Sequence, residues 1–577
     1  MIILGISAYY HDSAAALLIN GEIVSASCEE RFTRIKHDKS FPKLAIQYCM
    51  SEARINYKDL DYIVFYEKPF IKFERIITTH IQYAPKGFHT FIKSLPIWLK
   101  ERVNMKRTIE KELNRLFQCK EKWNVRFVEH HMSHAAFAYY NSSHKDAAIL
   151  VVDAVGEMAT TSIMKGMNGN ISLIKQQFFP HSLGLLYSSF TYFLGFTVNS
   201  DEYKVMGLAP YGDLKDNQTQ SFIKIIKKEL VNVDDSGSIK INEEYFSFMY
   251  GLKMINEKKW ERLFGIKKRK TNDKINQSHM NLAMAIQKIT EEILLNLAKH
   301  VKEITNSNHL CISGGCALNC SAMGKIKASK IFDSISIPFA PGDDGGAIGA
   351  TLYLYSLLNC NIRAIVTPYL GPKYTNDEII NILKNQTLKF TMLSDSELYE
   401  KVSKHISEGK IVGWFQDKME FGPRALGNRS ILADPRNAKM KNIINAKVKF
   451  RESFRPFAPI VIKEDASRYF SDNDSPYMMF TAKVVKDCNN IPAVTHLDRT
   501  SRVQTVTKEQ NEQIYSLLQV FKSKTGCSVL LNTSFNIMGE PIVCSPYDAV
   551  KTYIKSGIDI LVICLLYTSD AADDRIS

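Results

Sequence analysis

One pattern that occurs twice constrains the fold of this chain most. Residues 1–27 contain an apolar strand, a polar turn that includes His11 and Asp12, a second apolar strand, an Asn20-Gly21 hairpin turn and a third strand. Residues 147–175 repeat this order, with a polar turn at 153–157 and Asn168-Gly169 in the hairpin. Strand meanders with Asn-Gly turns are common, so an unrelated pair is the alternative. We favour a duplicated pair of α/β lobes whose polar turns face a shared cleft.

Composition limits the class of protein. The chain of 577 residues is long enough for two to four domains. The N-terminus lacks the basic lead-in of a signal peptide, and no apolar stretch approaches the roughly 20 residues that span a bilayer. We therefore expect a cytoplasmic protein without a membrane partner. The net charge of +14 predicts an acidic partner: nucleic acid, an anionic surface or a phosphorylated substrate.

A histidine pair predicts a metal site. His130 and His134 lie four residues apart in a segment that is expected to run from a strand into a helix, so their imidazoles share one helix face. Asp344 is our candidate for the carboxylate that completes a His-His-Asp site with open coordination positions. The alternatives are a pair of packed histidines and, for Asp344, a helix N-cap.

Glycine turns predict a nucleotide cleft. Two of them, at 313–315 and 342–346, follow apolar strands, and each opens a helix, where backbone amides favour an anion. The Gly- and Pro-punctuated loop 202–212 carries an acid and a base. The nucleotide-binding residues that we expect in this domain are Glu202, Lys204, Gly207, Ser313, Gly314, Gly315, Asn319, Asp343 and Gly345.

A second domain follows a linker at 359–376. Its arginines are spaced by glycine, proline and aromatic residues, which is typical of guanidinium groups held in loops to bind phosphate oxygens. Ion pairs across a domain interface are the alternative. The residues predicted to bind phosphate here are Arg424, Arg429, Ser430, Lys449, Arg451, Arg455, Ser501, Arg502, Asn532, Thr533, Ser534 and Asn536.

Two further segments carry predictions. Residues 70–122 are basic and helical in pattern, and we interpret most of them as a solvated insertion, with recognition of an acidic acceptor as the alternative. Residues 564–577 resemble a translated sequencing adapter, so we predict that the natural C-terminus is missing and that the second domain lacks its last strand or helix.

Together, several motifs resemble the O-carbamoyltransferases of nodulation-factor and antibiotic biosynthesis, over residues 1 to about 563. They are His11-Asp12, Glu30-Arg31, Lys36, His130-x-x-x-His134, Met206–Gly212, Ser313–Gly315, Asp343–Gly346, Phe421–Arg424 and Phe454–Pro459. The resemblance implies an α/β domain of the duplicated actin and sugar-kinase type at 1–360. It also implies an α+β domain at 361–563 similar to the tRNA threonylcarbamoyl-adenylate synthases.

The resemblance also implies the site residues and the chemistry. His130, His134 and Asp344 would hold a metal ion, iron(II) or else zinc or manganese, and His11, Asp12 and Lys36 would act at the transfer site. The arginine-rich set would make carbamoyl-adenylate from carbamoyl phosphate and ATP, with Mg²⁺. The product would be a carbamoylated hydroxyl on a small molecule.

Other readings of the sequence stay open. A tRNA threonylcarbamoyl transferase suits the positive charge, although we expect no nucleic-acid partner. A kinase on the same fold would release ADP, and a non-catalytic nucleotide-binding scaffold is the third alternative. A homodimer is an open alternative to a monomer.

Overall fold

The computed structural model describes residues 1–97, 104–359, 367–384, 388–486, 488 and 490–568. The chain forms two compact units. The first takes the described residues of Met1–Ala26 and Lys39–Val366, and the second takes those of Ser27–Asp38 and Thr367–Ser577.

The strands of the chain are short. They are β1 Ile2–Ser7, β2 Ala14–Ile19, β3 Glu22–Cys28, β4 Tyr62–Phe65, β5 Val125–Phe127, β6 Asp146–Val152, β7 Ala159–Met167, β8 Asn170–Phe178, β9 Val231–Val233, β10 Ile239–Ile241, β11 His309–Ser313, β12 Ser334–Ser336, β13 Thr391–Met392, β14 Val412–Phe415, β15 Arg429–Ala433, β16 Ala458–Ile462, β17 Thr481–Lys483, β18 Thr500–Arg502, β19 Gln504–Val506, β20 Val529–Ser534, β21 Ile560–Ile563 and β22 Leu566–Thr568.

The helices vary more in length. They are α1 Glu30–Thr33, α2 Lys43–Glu52, α3 Pro69–Tyr83, α4 Phe88–Ile97, α5 Met105–Leu116, α6 His130–Tyr140, α7 Leu183–Phe193, α8 Glu202–Leu208, α9 Asn217–Ile225, α10 Glu257–Phe264, α11 Gln277–Thr305, α12 Cys320–Ala328, α13 Gly346–Asn359, α14 Asn376–Lys384, α15 Asp395–Ser407, α16 Met440–Ile443, α17 Glu512–Thr525 and α18 Pro546–Lys555.

The first unit confirms the duplication. Its two five-stranded sheets have the orders β3-β2-β1-β4-β5 and β8-β7-β6-β11-β12, which is the same topology. In each, the first strand pairs antiparallel with the second and parallel with the strand that follows the helical crossover. Asn20-Gly21 and Asn168-Gly169 have positive φ at both positions, as the predicted hairpin turns require. The predicted α/β class is confirmed.

Helix α6 is the buried helix that carries the histidine pair. Ten of its eleven residues are buried, since it packs against α13, β6 and β11. A helix that is buried on every side can place polar groups only where those groups find partners. The side chains of its histidines must therefore find polar or charged partners inside the unit.

The second unit contains an eight-stranded sheet of order β13-β22-β21-β14-β15-β20-β16-β19. Its core includes residues from both faces of that sheet, among them the fully buried Trp414. The sheet mixes parallel and antiparallel pairs, which agrees with an α+β class. The specific likeness to the threonylcarbamoyl-adenylate synthases stays a prediction.

The segment Ser27–Asp38 belongs to this second unit, although the sequence gives no sign of it. Arg31 donates to the carbonyl of Gly422 at 2.8 Å, and Arg34 donates to the carbonyl of Ile542 at 2.7 Å. Phe32 packs beside Met419. The predicted division at residue 360 places this segment in the first domain.

The start of the predicted foreign tail is ordered. Leu566–Thr568 form β22, which pairs antiparallel with β21 and with β13. Residues 569–577 lie outside the described part of the chain. The origin of the tail stays a prediction.

The predicted solvated insertion is only partly solvated. Lys106 and Arg107 on α5 are exposed, as expected, whereas Lys100 and Arg102 lie outside the described residues. Lys72 on α3 is buried, and its ammonium lies 2.6 Å from the Glu67 carboxylate. The prediction is wrong for this face of α3, because that face packs into the unit.

Candidate metal centre and cationic site

Four side chains of the first unit converge on one buried point. Helix α6 begins at His130 and presents His134 one turn later. Asp153 follows the last residue of β6, and Asp343 lies at the second glycine turn. All four residues are buried.

The distances within this group are those of a ligand set. The Nε2 atoms of His130 and His134 are 3.1 Å apart. An Asp153 carboxylate oxygen lies 3.0 Å from His130 Nε2 and 3.7 Å from His134 Nε2. An Asp343 oxygen lies 3.5 Å and 3.6 Å from the same two atoms. One donor atom from each residue thus lies within 4.8 Å of every other.

The electrostatics of the group suit a divalent cation. Burial lowers the pKa of His134, but Asp153 and Asp343 outweigh it and raise the pKa to about 9. Burial raises the pKa of Asp153, but the two histidines bring it well below its ordinary value. Two buried carboxylates that face two imidazole nitrogens fit iron, zinc or manganese, which accept mixed nitrogen and oxygen ligands. These four residues could hold one such ion.

The carboxylates differ from the predicted one. The structure brings Asp343 to the histidines in place of Asp344, whose Oδ1 accepts the Gly345 N–H at 3.0 Å. Asp344 is not the N-cap of this turn, because Gly342 occupies that position. Adjacent residues on a 3-10 turn point about 120° apart, so only one of the two faces the histidines. Asp153 was missed as a ligand, although it stands in the repeated polar turn that was expected to face the cleft.

His11 lies at the edge of the metal group, as the resemblance implied. Its Nε2 is 3.7 Å from Asp343 Oδ2, and its Nδ1 is 2.8 Å from Asp12 Oδ2. Burial lowers the pKa of His11, but Asp343 and Asp12 raise it to about 9. Its side chain is 25% exposed, so it remains accessible to a substrate.

The predicted nucleotide residues divide into two sets. The first glycine turn reaches the metal group: Gly315 N–H donates to Asp153 Oδ1 at 3.1 Å, and Ser313 Oγ lies 3.4 Å from His134 Nδ1. Gly345 belongs to the turn that carries Asp343. Gly314 has φ +90° and packs against the carbonyl of Val152, so a side chain there would be strained.

The other predicted residues serve local structure. Glu202 accepts hydrogen bonds from Ser188 and from the Asn199 amide, and Lys204 pairs with Asp201 at 3.2 Å. Asn319 caps α12. Gly207 lies within α8. The structure does not bring these four to the metal group.

A buried lysine centres a cationic site in the second unit. Lys449 is 2% exposed, and its ammonium donates to Ser534 Oγ at 3.3 Å and to Asn536 Oδ1 at 2.8 Å. Burial lowers its pKa well below the ordinary value, and the charges of Arg451, Arg455 and Lys36 lower it further. Such a concentration of positive charge fits a phosphate-bearing ligand.

Lys36 belongs to the second unit, and its role at the transfer site stays a prediction. The resemblance implied the transfer site of the first domain, but Lys36 is in the segment that clusters with the second unit, within electrostatic range of Lys449. No local pattern could have indicated this, because the contact joins residues more than 400 positions apart.

Several predicted phosphate ligands are structural. Arg429 is fully buried, its guanidinium stacks 3.6 Å from the Phe415 ring centroid, and it donates to backbone carbonyls that include Pro372 and Asp417. Ser430 accepts the Gly427 N–H, and Ser501 donates to the carbonyl of Val494. Asn532 binds the Gln504 side chain. These contacts give all four residues structural roles, and their part in phosphate binding stays a prediction.

Arg424 stays a candidate ligand at a loop that Glu420 organises. The Glu420 carboxylate accepts the backbone N–H groups of Leu426 and Asn428 at 2.7 Å each and that of Arg429 at 3.2 Å. Arg424 and Arg502 are both partly exposed, as a ligand contact requires. Thr533 lies beside Ser534 on β20.

Comparison with known proteins finds two matching family models and several similar proteins. The family model "Carbamoyltransferase N-terminus" matches residues 2–352, and "Carbamoyltransferase C-terminus" matches residues 403–568. The uncharacterized protein sll1178 of Synechocystis is 45% identical over 97% of this chain and 95% of its own length. Nodulation protein NolNO of Sinorhizobium fredii is 33% identical over 96% of this chain and 78% of its own.

Two more distant matches are weaker. The 3'-hydroxymethylcephem-O-carbamoyltransferase of Amycolatopsis lactamdurans is 31% identical over 48% of this chain and 52% of its own length. Component A of the Acidaminococcus fermentans (R)-2-hydroxyglutaryl-CoA dehydratase covers 61% of this chain and 97% of its own at 14% identity. Its TM-score of 0.32 is too low to bear on the fold. By the extent of the two family matches, this chain belongs to the carbamoyltransferase family of enzymes.

Proposed function

We propose that this protein is an ATP-dependent O-carbamoyltransferase that works through carbamoyl-adenylate. One observation carries the proposal: a single chain of this family holds a buried cationic site in one unit and a buried His-Asp metal group in the other. The cationic site suits phosphate chemistry, and the His-Asp metal group suits activation of a phosphate-linked carbonyl. The two sites thus match two successive half-reactions.

The second unit would make the adenylate. Water cleaves carbamoyl phosphate to carbamate and phosphate, and a carbamate oxygen then attacks the α-phosphorus of ATP. The bond from that phosphorus to the bridging oxygen breaks, and pyrophosphate leaves. Arg424, Lys449 and Arg455 would neutralise the phosphoryl charges, together with Mg²⁺ bound to ATP. Lys36 joins this group because of its charge coupling to Lys449.

The first unit would transfer the carbamoyl group. The acceptor hydroxyl oxygen bonds to the carbamoyl carbon, the bond from that carbon to the phosphate oxygen breaks, and AMP leaves. His11 would orient the acceptor hydroxyl, since it is accessible and lies beside Asp343. Because its raised pKa of about 9 keeps the ring protonated at neutral pH, the hydroxyl proton would go to the phosphate of the departing AMP. A metal ion held by His130, His134, Asp153 and Asp343, for which we propose iron, would supply Lewis-acid chemistry.

The decisive experiment measures pyrophosphate without any acceptor. Purified protein is incubated with ATP, Mg²⁺ and carbamoyl phosphate, and pyrophosphate and ADP are quantified. We expect pyrophosphate that depends on carbamoyl phosphate. Arg424→Ala should abolish it, whereas Arg468→Ala, at an exposed arginine of the same unit, should not.

Other products would point to the alternatives. ADP in place of pyrophosphate would contradict the proposal and favour a kinase. The net charge of +14 favours a tRNA substrate as a second candidate. In that case carbamoyl or threonylcarbamoyl transfer to tRNA would decline steeply with rising salt, because release of counterions drives phosphate-backbone binding.

A further inference from the structure

A second group of charged residues lies beside the metal group in the first unit. It comprises Tyr10, Lys72, Arg75 and Phe179, and we call it the Arg75 site. The Arg75 guanidinium carbon is 5.2 Å from the Phe179 ring centroid, and the Lys72 ammonium is 5.0 Å from the Tyr10 ring centroid. Both cations come from successive turns of α3.

Arg75 has no acceptor in the described part of the chain. Its Nη1 is buried without a hydrogen-bond partner, and no described carboxylate forms an ion pair with its guanidinium. Buried charges in proteins are normally paired, because an uncompensated one forfeits its hydration. A guanidinium that presents unused donors in a fixed fork is suited to bind a planar or tetrahedral anion from outside the chain.

The nearby carboxylates are already engaged. Glu67 binds the Lys72 ammonium at 2.6 Å, and Glu157 accepts the backbone N–H groups of Lys68 at 2.7 Å and His130 at 2.9 Å. Burial raises the pKa of Glu157. Both carboxylates favour the Arg75 charge from a distance, but neither accepts a hydrogen bond from its Nη1.

The Arg75 site adjoins the proposed transfer chemistry. Tyr10 precedes His11 in the chain, and their ring centroids are 4.5 Å apart. His11 in turn lies 3.7 Å from Asp343. Tyr10 is 38% exposed, so the site opens to solvent on the side of His11. A molecule bound to Arg75 can thus present a hydroxyl to His11.

We propose that Arg75 selects the acceptor by binding an anionic group on it, a carboxylate or a phosphate monoester, which directs the acceptor hydroxyl to His11. The inference rests on the proposed function, because it assigns the substrate class of the same transfer site. Lys72 adds positive charge while it remains paired with Glu67. Neutral and cationic acceptors lack the group that would satisfy the guanidinium.

Binding of simple probes tests this without knowledge of the natural acceptor. The full-length protein is titrated by calorimetry with D-glucose, D-glucuronate and D-glucose 6-phosphate. We expect at least one anionic sugar to bind roughly tenfold or more tightly than glucose, as a charged hydrogen bond would give. The anion that binds tighter distinguishes carboxylate from phosphate. Anionic sugars that bind no better than glucose, absence of binding included, would overturn the proposal.

Variants separate recognition from a structural role. Arg75→Gln should remove the advantage of the anionic sugar, Arg75→Lys should keep part of it, and Arg107→Gln, at an exposed arginine of the same insertion, should keep all of it. The melting temperature of Arg75→Gln should stay equal or rise, because a buried Nη1 donor without an acceptor is removed. A fall in melting temperature, or an unchanged preference for anions, would contradict the proposal.

The result is independent of the adenylation half-reaction. Arg75→Gln should release pyrophosphate from ATP and carbamoyl phosphate at the wild-type rate, because Arg75 is not part of the second unit. A wild-type protein that releases no pyrophosphate but prefers anionic sugars through Arg75 would overturn the proposed function and leave the anion site standing.

Discussion

The two units contain sites of opposite charge. In the first, two buried aspartates face two histidines, so the site gains most from a cation. In the second, Lys449 is buried near Arg451, Arg455 and Lys36, so the site gains most from an anion. A concentration of charge of one sign favours a ligand of the opposite sign. The sign of the missing charge therefore indicates the ligand of each unit.

The two sites also differ in how they are held. The aspartates and histidines sit at the ends of a strand, a glycine turn and a buried helix. Lys449 is held by oxygen atoms of a loop that follows β20, and the neighbouring arginine loop is organised by the Glu420 carboxylate. Regular elements position the metal group of the first unit, whereas loop contacts position Lys449 in the second.

The largest expected effect is loss of the metal. Asp343→Ala should remove bound metal almost completely and abolish transfer, because the four donors share one point. Elemental analysis of the purified variant measures this. Asp344→Ala provides the matched neighbour and should retain the metal. Equal loss in both variants would show that the two aspartates were assigned wrongly.

The next effect concerns the second unit alone. Lys449→Met should reduce pyrophosphate release from ATP and carbamoyl phosphate about 100-fold or more, because a charged contact to a phosphate is lost in a buried site. Lys447→Met, at an exposed lysine two residues away, is the control. The metal content of Lys449→Met should remain that of the wild type. A change in both readouts would mean that the two sites do not act separately.

A backbone substitution tests how the first site is held. Gly314→Ala should lower the free energy of unfolding by roughly 2–4 kcal/mol, because it combines a positive φ with close packing on the carbonyl of Val152. Gly265 also has a positive φ, but no described atom lies within 4 Å of a Cβ added there. The cost of Gly265→Ala should therefore be about 1 kcal/mol. Denaturant unfolding of both variants measures the difference. Equal costs would exclude packing as the cause.

The smallest effect is a pH dependence confined to the second unit. Burial lowers the pKa of His496 to about 4, and Arg502 and Lys441 contribute in the same direction. Below the unfolded value near 6.5 the unfolded chain binds a proton that the folded chain does not, so stability falls as the pH drops from 7 to 5. The loss is on the order of 2 kcal/mol. His496→Gln should flatten that slope in urea unfolding; an unchanged slope would assign it to other groups.

The sequence alone determined those features that depend on local geometry. Asn20-Gly21 and Asn168-Gly169 specify hairpin turns. The repeated strand pattern predicts the two sheets of the same topology. A spacing of four on a helix is sufficient to bring His130 and His134 together. No helix in the described residues is both long and apolar enough to cross a membrane.

Only the tertiary structure decided which long-range partners complete the sites. The rotation of one short turn selects Asp343 over Asp344, and the end of β6 adds Asp153. Packing surrounds Arg429 with carbonyl groups and leaves Nη1 of Arg75 without a hydrogen-bond partner in the described part of the chain. Contacts with Gly422 and Ile542 place the segment that carries Lys36 in the second unit. Residue type and spacing indicate which chemistry a side chain can perform, but the direction in which it points depends on contacts hundreds of residues away.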